Sequence, residues 1–528
     1  MVSRESLWEI IGRRARETPL ENLIVEADGS AITYGEAAGI IPEWADRLGA
    51  PPGRVARRVG AVAPNSASPH LLRLACGQAG AVFVALNPLL KGLVLRDAIV
   101  RSALTDLVVS PETAAGVAEI RAELPAGLAI HVLDGGAFLT ASGTRTASGS
   151  RAHQGKVAEL DRGDSQILLY TSGTTGPAKP VRLTSRSVLS YASRHFGDHE
   201  PAWTPGAGYY SPWHPAHVLG AVALDVAVIR GLTLVVRRKF SRDSFWPDVL
   251  AHDCEATTLV TVADGMWARR ASWQSRNPLR LIGMSPLVDD VPGFERYFGV
   301  EVVSVYGMTE VGTALTARSP VDSRITGWPV RGYQCRLADV PGIEAVAGHA
   351  SRIGELVVRP DFVTSEYDQA AEQGTGDWED GWFRTGDLFT EFDGAYSFVG
   401  RIKDSIRRHG RNISAVDLES AVRALGEVAD CACVGVPDAD PAGSGGRPVA
   451  DEEIRVFVVA RPGAVIDPER FLSRLAERVP AFMLPRYVDV VTELPSTFSG
   501  KVSRQALRLL PVRASTYDRK RLVSLRGT

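Results

Sequence analysis

Between about residues 55 and 310 the sequence returns again and again to short apolar runs: Arg57–Ala63, Ala81–Leu86, Asp106–Ser110, Gln166–Tyr170, Leu232–Arg237, Thr257–Val262, Leu279–Gly283 and Val300–Val305. Short runs of this kind, rich in β-branched residues, read as strands. The stretches between them are long enough for helices, and strand–helix–strand alternation sets strands parallel. The chain is thereby held to an α/β architecture with largely parallel sheets, and no repeat points to a solenoid. After about residue 320 the texture becomes Gly-punctuated short strands, including Gly354–Arg359 and Ala395–Gly400, which predicts a β-rich subdomain. A charged connector, Arg401–Gly410, precedes a helix, strand, helix and strand running to about residue 510, a stretch large enough for a small α+β domain. Ala141–Lys156 and Asp438–Arg447 read as surface loops.

Composition limits the partners. Lys plus Arg is 59 against 61 Asp plus Glu, a net charge of −2, so there is no overall field to draw nucleic acid or an anionic membrane. No apolar run reaches the roughly 18 residues a membrane span needs. An anionic ligand must therefore be held locally, and because lysine is rare beside arginine, each lysine is informative. The five cysteines, Cys76, Cys254, Cys335, Cys431 and Cys433, lack disulfide or zinc spacing, which fits a reducing cytoplasm. Cys431-Ala-Cys433 lies in an alternating apolar run and reads as a plain strand. The N-terminal residues read as an amphipathic helix and not a signal peptide, so the mature protein is expected to be the whole chain.

One segment carries chemistry on its face: Leu169-Tyr-Thr-Ser-Gly-Thr-Thr-Gly-Pro-Ala-Lys-Pro180, an apolar run feeding a Gly/Ser/Thr loop that ends near Lys179. Such a loop offers backbone N–H groups, hydroxyls and one ammonium to a polyphosphate. It is not a Walker A loop, whose lysine directly follows the last glycine, since Lys179 lies three residues after Gly176. Taken alone it also reads as an ordinary flexible turn.

The loop, TSGTTG followed by a Pro/Lys pair, resembles the phosphate loop of the adenylate-forming superfamily: acyl-CoA synthetases, peptide-synthetase adenylation domains and firefly luciferase. Four further segments resemble that family's motifs in order: Tyr306-Gly-Met-Thr-Glu310, Gly381-Trp-Phe-Arg-Thr-Gly-Asp387, Gly400-Arg-Ile-Lys-Asp404 and Ser499-Gly-Lys-Val-Ser-Arg504. The resemblance covers nearly the whole chain. It implies a large N-terminal AMP-binding domain, 1–400, with two mixed or parallel sheets flanked by helices plus a β-rich subdomain. A hinge at 401–410 and a small mobile α+β lid at 411–528 would follow.

The resemblance also implies roles. Thr171, Ser172, Gly173, Thr174, Thr175, Gly176 and Lys179 would hold the ATP β/γ-phosphates, and Thr309 would touch the α-phosphate. Glu310 would hold Mg²⁺, which favours carboxylate, water and phosphate oxygens. Tyr306 would flank adenine, Asp387 would accept the ribose hydroxyls, and Arg401 would add a donor. Lys501 would bridge the substrate carboxylate and the α-phosphate, stabilising charge in the transition state. Asp404 would be the pivot of the lid. Each has a plainer reading beside it: Asp387 as a turn cap, Glu310 as a helix opener, Arg401 as a solvated charge. Two histidines compete to line the acyl tunnel, His217 with Gly220 three residues on, and His214 after a Pro-aromatic pair; His217 fits better. The acyl pocket would be built near Gly220, Ala221, Gly283, Met284, Gly307 and Gly312, and the many small residues in these segments leave room for a bulky apolar acid.

Two departures stand out. The loop reads Gly176-Pro-Ala-Lys-Pro180 where relatives have Gly-x-Pro-Lys-Gly, so Pro180 removes a backbone donor and fixes φ. The hinge continues Gly410-Arg411-Asn412 instead of Gly-Glu-Asn. The reading is an ATP-dependent acid–thiol ligase: a bulky, hydrophobic small-molecule carboxylic acid becomes an acyl-adenylate and then a CoA thioester. Rival readings are thioester formation only, from an adenylate made by a partner enzyme; loading of a carrier protein; and a non-catalytic adenylate-binding relic.

Overall fold

The computed structural model describes residues 7–48, 57–134, 137–140, 166–171, 179–198, 200–260, 262–270, 277–340, 352–361, 366–367, 378–402, 405–408, 411–437, 452–496, 502–513 and 515–520. The chain forms two compact units: Met1–Ser172, Ala178–Tyr333 and Pro360–Gly376 make the first, and Gly173–Pro177, Gln334–Arg359 and Asp377–Thr528 the second.

The first unit holds two sheets. In one, strands Gln166–Thr171, Val82–Ala85, Arg58–Val62, Asp106–Val109 and Ala129–Asp134 lie side by side and parallel. Lys179–Thr184 and Ala137–Thr140 join them antiparallel. In the other, Asn22–Glu26, Thr233–Val236, Gly208–Ser211, Cys254–Val260, Leu281–Ser285 and Glu301–Met308 run parallel. Gly312–Arg318 and Ile325–Pro329 then turn back antiparallel. One apolar core joins the two inner faces: Val59, Phe83, Ile167 and Val181 from the first sheet, Leu234, Ala256, Leu281 and Val303 from the second. Helices Tyr34–Leu48, Ala67–Gln78, Ser185–Ser193 and Ala223–Ile229 contribute to the same core. Because side chains alternate along a strand, Val62, Val82, Val84 and Leu168 face outward into a second cluster covered by helix Gly92–Arg101. Helices Arg242–Ala251 and Val291–Phe298 cover the outer face of the second sheet in the same way. Burial on both faces is why these strands read as continuous apolar runs.

The second unit carries the β-rich subdomain, Tyr333–Ala338, Ile353–Pro360, Trp382–Phe392 and Ala395–Arg401 in that order. Its lid portion is a four-stranded sheet of Val428–Pro437, Glu452–Ala460, Tyr487–Val491 and Tyr517–Asp518, with helices Ala415–Arg423, Pro468–Ala476 and Arg504–Leu509.

The α/β class with two mixed sheets and a smaller C-terminal α+β portion agrees with the sequence reading, as does the helix Leu7–Glu17 with Ile10 and Ile11 buried. Three details differ. The connector 401–410 is not all connector: Ser405–Arg408 pairs with Arg411–Ser414 as a hairpin. The tail has an additional strand, because Glu452–Ala460 pairs parallel with Tyr487–Val491 and antiparallel with Val428–Pro437. Gly208–Ser211 is fully buried yet only four residues long, too short for its period to show. The two segments read as surface loops, 141–156 and 438–447, lie outside the described residues.

Candidate active site

Tyr306 to Glu310 sit on a β-hairpin. Strand Glu301–Met308 pairs with Gly312–Arg318, and the register closes at Met308↔Gly312, leaving Thr309, Glu310 and Val311 as a three-residue turn. Gly312 has φ +83, the left-handed position such a turn requires. Glu310 is therefore a turn residue and not a helix opener, with 7% of its surface exposed. The turn is gripped on its carbonyl side. The Tyr191 hydroxyl donates to Met308 O at 2.6 Å and also to Thr309 O, and the Tyr333 hydroxyl donates to Val311 O at 2.6 Å. Neither tyrosine belongs to a motif, so nothing in the sequence pattern pointed to them.

The phosphate segment is also a hairpin connection. Gln166–Thr171 pairs antiparallel with Lys179–Thr184, with Tyr170 opposite Pro180 and Thr171 opposite Lys179. Lys179 thus begins a strand instead of ending a loop. Ser172, Gly173, Thr174, Thr175 and Gly176 lie outside the described residues, as do Asp404 and Lys501.

The histidines separate cleanly. His214 is buried, its Nε2 is 2.7 Å from Ala63 O, and its Nδ1 accepts from the Ala216 N–H at 2.9 Å. Burial holds its pKa down to about 4, so it is a neutral structural imidazole. His217 is half-buried at the start of helix Val218–Ala221, where its Nδ1 accepts from the Leu219 N–H at 3.2 Å. Its ring lies 6.1 Å from that of Trp213.

Most of the small residues assigned to an acyl pocket have packing reasons to be small. A Cβ on Gly220 would sit 2.2 Å from His214 O, and one on Gly307 would sit 2.1 Å from Gly312 O. One on Gly312 would meet the Tyr333 hydroxyl at 2.7 Å. Gly283 is packed against Thr258 and Phe196, and Ala221 is fully buried in the inner core. Met284 corrects the reading: it alternates with Gly283 to the opposite face of its strand and lies fully buried in the outer cluster, so the two do not share one lining.

In the second unit, Asp387 is 3% exposed and lies opposite Arg401, whose Nε is 3.1 Å from its Oδ1. The Gly-Asp turn is fixed from behind by Glu355, which accepts from the Gly386 N–H at 2.9 Å and pairs with Arg384. Thr385 donates to Leu356 O at 2.7 Å. In the lid, Glu419 accepts two hydrogen bonds from Arg504 Nη2, at 2.8 and 2.7 Å, and one from the Cys433 N–H. Arg504 is the arginine of the motif that carries Lys501. Cys431 and Cys433 are buried strand residues whose thiols are pushed up, Cys431 to about 12. No cluster of three His, Cys, Asp or Glu suited to a metal occurs among the described residues.

Residues 11–368 match the sequence profile described as AMP-binding enzyme, and 417–501 match that of the AMP-binding enzyme C-terminal domain. The chain belongs to the AMP-binding enzyme family. This AMP-binding enzyme is similar to feruloyl-CoA synthase of an Amycolatopsis species, 31% identical over 513 residues, covering 95% of this chain and 98% of the relative. It is similar also to sulfoacetate–CoA ligase of Cupriavidus necator, 27% identical over 95% of this chain and 97% of that one. The solved structure of ATP-bound MatB from Rhodopseudomonas palustris superimposes with a TM-score of 0.75 at 25% identity, over 96% of this chain and 98% of that one. The AMP-binding enzyme described here is an ATP-dependent, AMP-forming acid–thiol ligase; ATP and CoA are substrates of its family and AMP is a product. No described helix is long and apolar enough to cross a membrane.

Proposed function

We propose that this enzyme carries out both half-reactions, converting a bulky apolar carboxylic acid to its acyl-adenylate with MgATP and then to its CoA thioester. The observation that carries the ATP-dependent half is the register of the phosphate hairpin. Its ladder runs past Pro180 to Thr171↔Lys179, so the proline that departs from the family pattern is accommodated without ending the strand. The loop residues Thr171 to Gly176 and Lys179 take the β/γ-phosphates, Thr309 the α-phosphate, Tyr306 the adenine, and Asp387 with Arg401 the ribose. A single buried carboxylate, Glu310, suits a Mg²⁺ ion whose other ligands are water and nucleotide oxygens. The ion would neutralise charge on the departing pyrophosphate. Lys501 stabilises the developing charge between carboxylate and α-phosphate.

The acid is assigned to His217 and Trp213, whose rings lie beside each other; the glycines do not support it, since close packing against neighbouring backbone and side chains explains them. Residues 1–400 act as the AMP-binding domain and 411–528 as the lid, with 401–410 between them. Arg408 supports a pivot before residue 405: it is buried and donates to Phe482 O at 3.1 Å and Leu484 O at 2.9 Å, which ties the hairpin to the lid. Asp404→Pro is expected to preserve adenylation and stop thioester formation, because proline freezes the pivot. CoA, in the cytoplasm, is the proposed acceptor. A panel of acids with pyrophosphate release and thioester mass detection tests the whole. Release at ordinary ligase rates with an aromatic or branched acid supports the reading; thioester only from supplied acyl-adenylate refutes the ATP-dependent half.

A further inference from the structure

We infer that the Tyr191 hydroxyl is a positioning group for adenylation, joining the phosphate arm to the turn that presents Glu310. Strand Lys179–Thr184 starts at the end of the phosphate loop, and its last residue is the N-cap of helix Ser185–Ser193, with Thr184 Oγ1 accepting from the Ser187 N–H at 3.1 Å. Strand and helix thus form one continuous arm, and Tyr191 stands on its last turn. Its hydroxyl reaches the carbonyls of Met308 and Thr309, the residues just before Glu310. A Cβ on Gly312 would lie only 3.4 Å from the Tyr191 ring, so the ring fits under the turn while the hydroxyl holds its backbone. Tyr333 holds Val311 O on the far side of Glu310.

A turn whose carbonyls are held on both sides of its central residue fixes the backbone from which the Glu310 carboxylate projects. This inference rests on the assignment of Glu310 to Mg²⁺. A misplacement of about 1 Å at a reacting site costs on the order of 10²-fold, and the loss of one hydroxyl with its ring retained is a milder perturbation.

Tyr191→Phe keeps the ring and removes the donor. Calorimetric titration without acid should show affinity for MgATP reduced about 10-fold and affinity for ATP in EDTA unchanged. The Mg²⁺ concentration for half-maximal pyrophosphate release should rise by a similar factor, while thioester formation from supplied acyl-adenylate stays within about 3-fold. Tyr333→Phe, which removes the donor to Val311 O, should shift the same quantities about 3-fold. Glu310→Gln serves as the reference. If Glu310→Gln shifts the Mg²⁺ requirement and neither tyrosine variant does, the tyrosine inference is wrong and the Glu310 assignment stands. If Glu310→Gln itself leaves the requirement unchanged, the assignment falls and takes the inference with it. Equal loss in both half-reactions of Tyr191→Phe would show general disruption and overturn the positioning role.

Discussion

The two units bury polarity in different currencies. The first hides neutral imidazoles and phenols: His70 and His195 are held near pKa 3 and His214 near 4, all by burial, and Tyr191 and Tyr333 spend their hydroxyls on backbone carbonyls. Arginine–carboxylate pairs occur in the same unit, Arg73–Asp225, Arg230–Glu200 and Arg237–Asp248, beside these neutral groups. The second unit relies on arginine–carboxylate pairs: Arg384–Glu355, Arg408–Glu453, Arg455–Asp489 and Arg504–Glu419. Neutral hydrogen bonds fix the direction of a turn at little desolvation cost. Buried charges hold strongly when paired and destabilise strongly when one partner is lost. The difference predicts where each unit fails.

The largest effect is expected in the lid. Arg455 is 1% exposed, pairs with Asp489 at 2.7 Å and donates to Leu510 O at 2.6 Å. Arg455→Met strands a buried carboxylate and should cost about 3–5 kcal/mol. Calorimetry should show the second unit melting early while the first is unmoved; a single transition shifted as a whole would contradict the separation. Next, Lys501→Ala should slow adenylation by about 10²–10³, or roughly 2.7–4 kcal/mol of transition-state stabilisation, and spare thioester formation from supplied adenylate. Equal loss in both half-reactions of a folded protein would remove Lys501 from its assigned role.

Acid should act on the first unit. A histidine kept neutral in the fold, with its pKa lowered from about 6.5, takes up its proton in the unfolded chain first. Its contribution is complete above pH 6.5 and is lost as pH falls toward 4 for His214 and toward 3 for His70 and His195. Each costs up to about 1.4 kcal/mol per pH unit in that window. Unfolding of the first unit followed from pH 7 to 4.5 should show this slope, and His214→Asn should reduce it by about one histidine's share.

The smallest effect sharpens the comparison. Thr184 and Asp467 each cap a helix, accepting from the N–H groups of Ser187 and Arg470. Their Ala variants should cost about 1 kcal/mol apiece. Only Thr184→Ala should also raise the Mg²⁺ requirement of adenylation, because only its helix carries Tyr191.

The alternation of strands and helices was legible because strands buried on both faces leave unbroken apolar runs, and the motifs were legible because their residues lie close together in sequence. The α/β class, the small C-terminal portion and the strand character of Cys431 and Cys433 follow from that local information. Met284 was misplaced because a two-residue period tells that neighbours part company, yet not which face meets which core. The choice between His214 and His217 was likewise half visible. Spacing to Gly220 favoured one, and only the fold supplied Ala63, from a strand end about 150 residues away, to occupy the other.

What the sequence by itself determined is the kind of chemistry and the order of its parts: a hydroxyl-rich loop, a turn with one acid, a Gly-Asp turn, a lysine near the C-terminus. Tertiary structure decided what holds each part in place. Tyr191, Tyr333, Glu355 and Glu419 reach their partners across gaps of 117, 22, 31 and 85 residues. A tyrosine hydroxyl or a buried carboxylate leaves no local period and no spacing of its own. Its role exists only once a backbone carbonyl or a guanidinium from a distant segment has been brought within hydrogen-bonding distance and shut away from water.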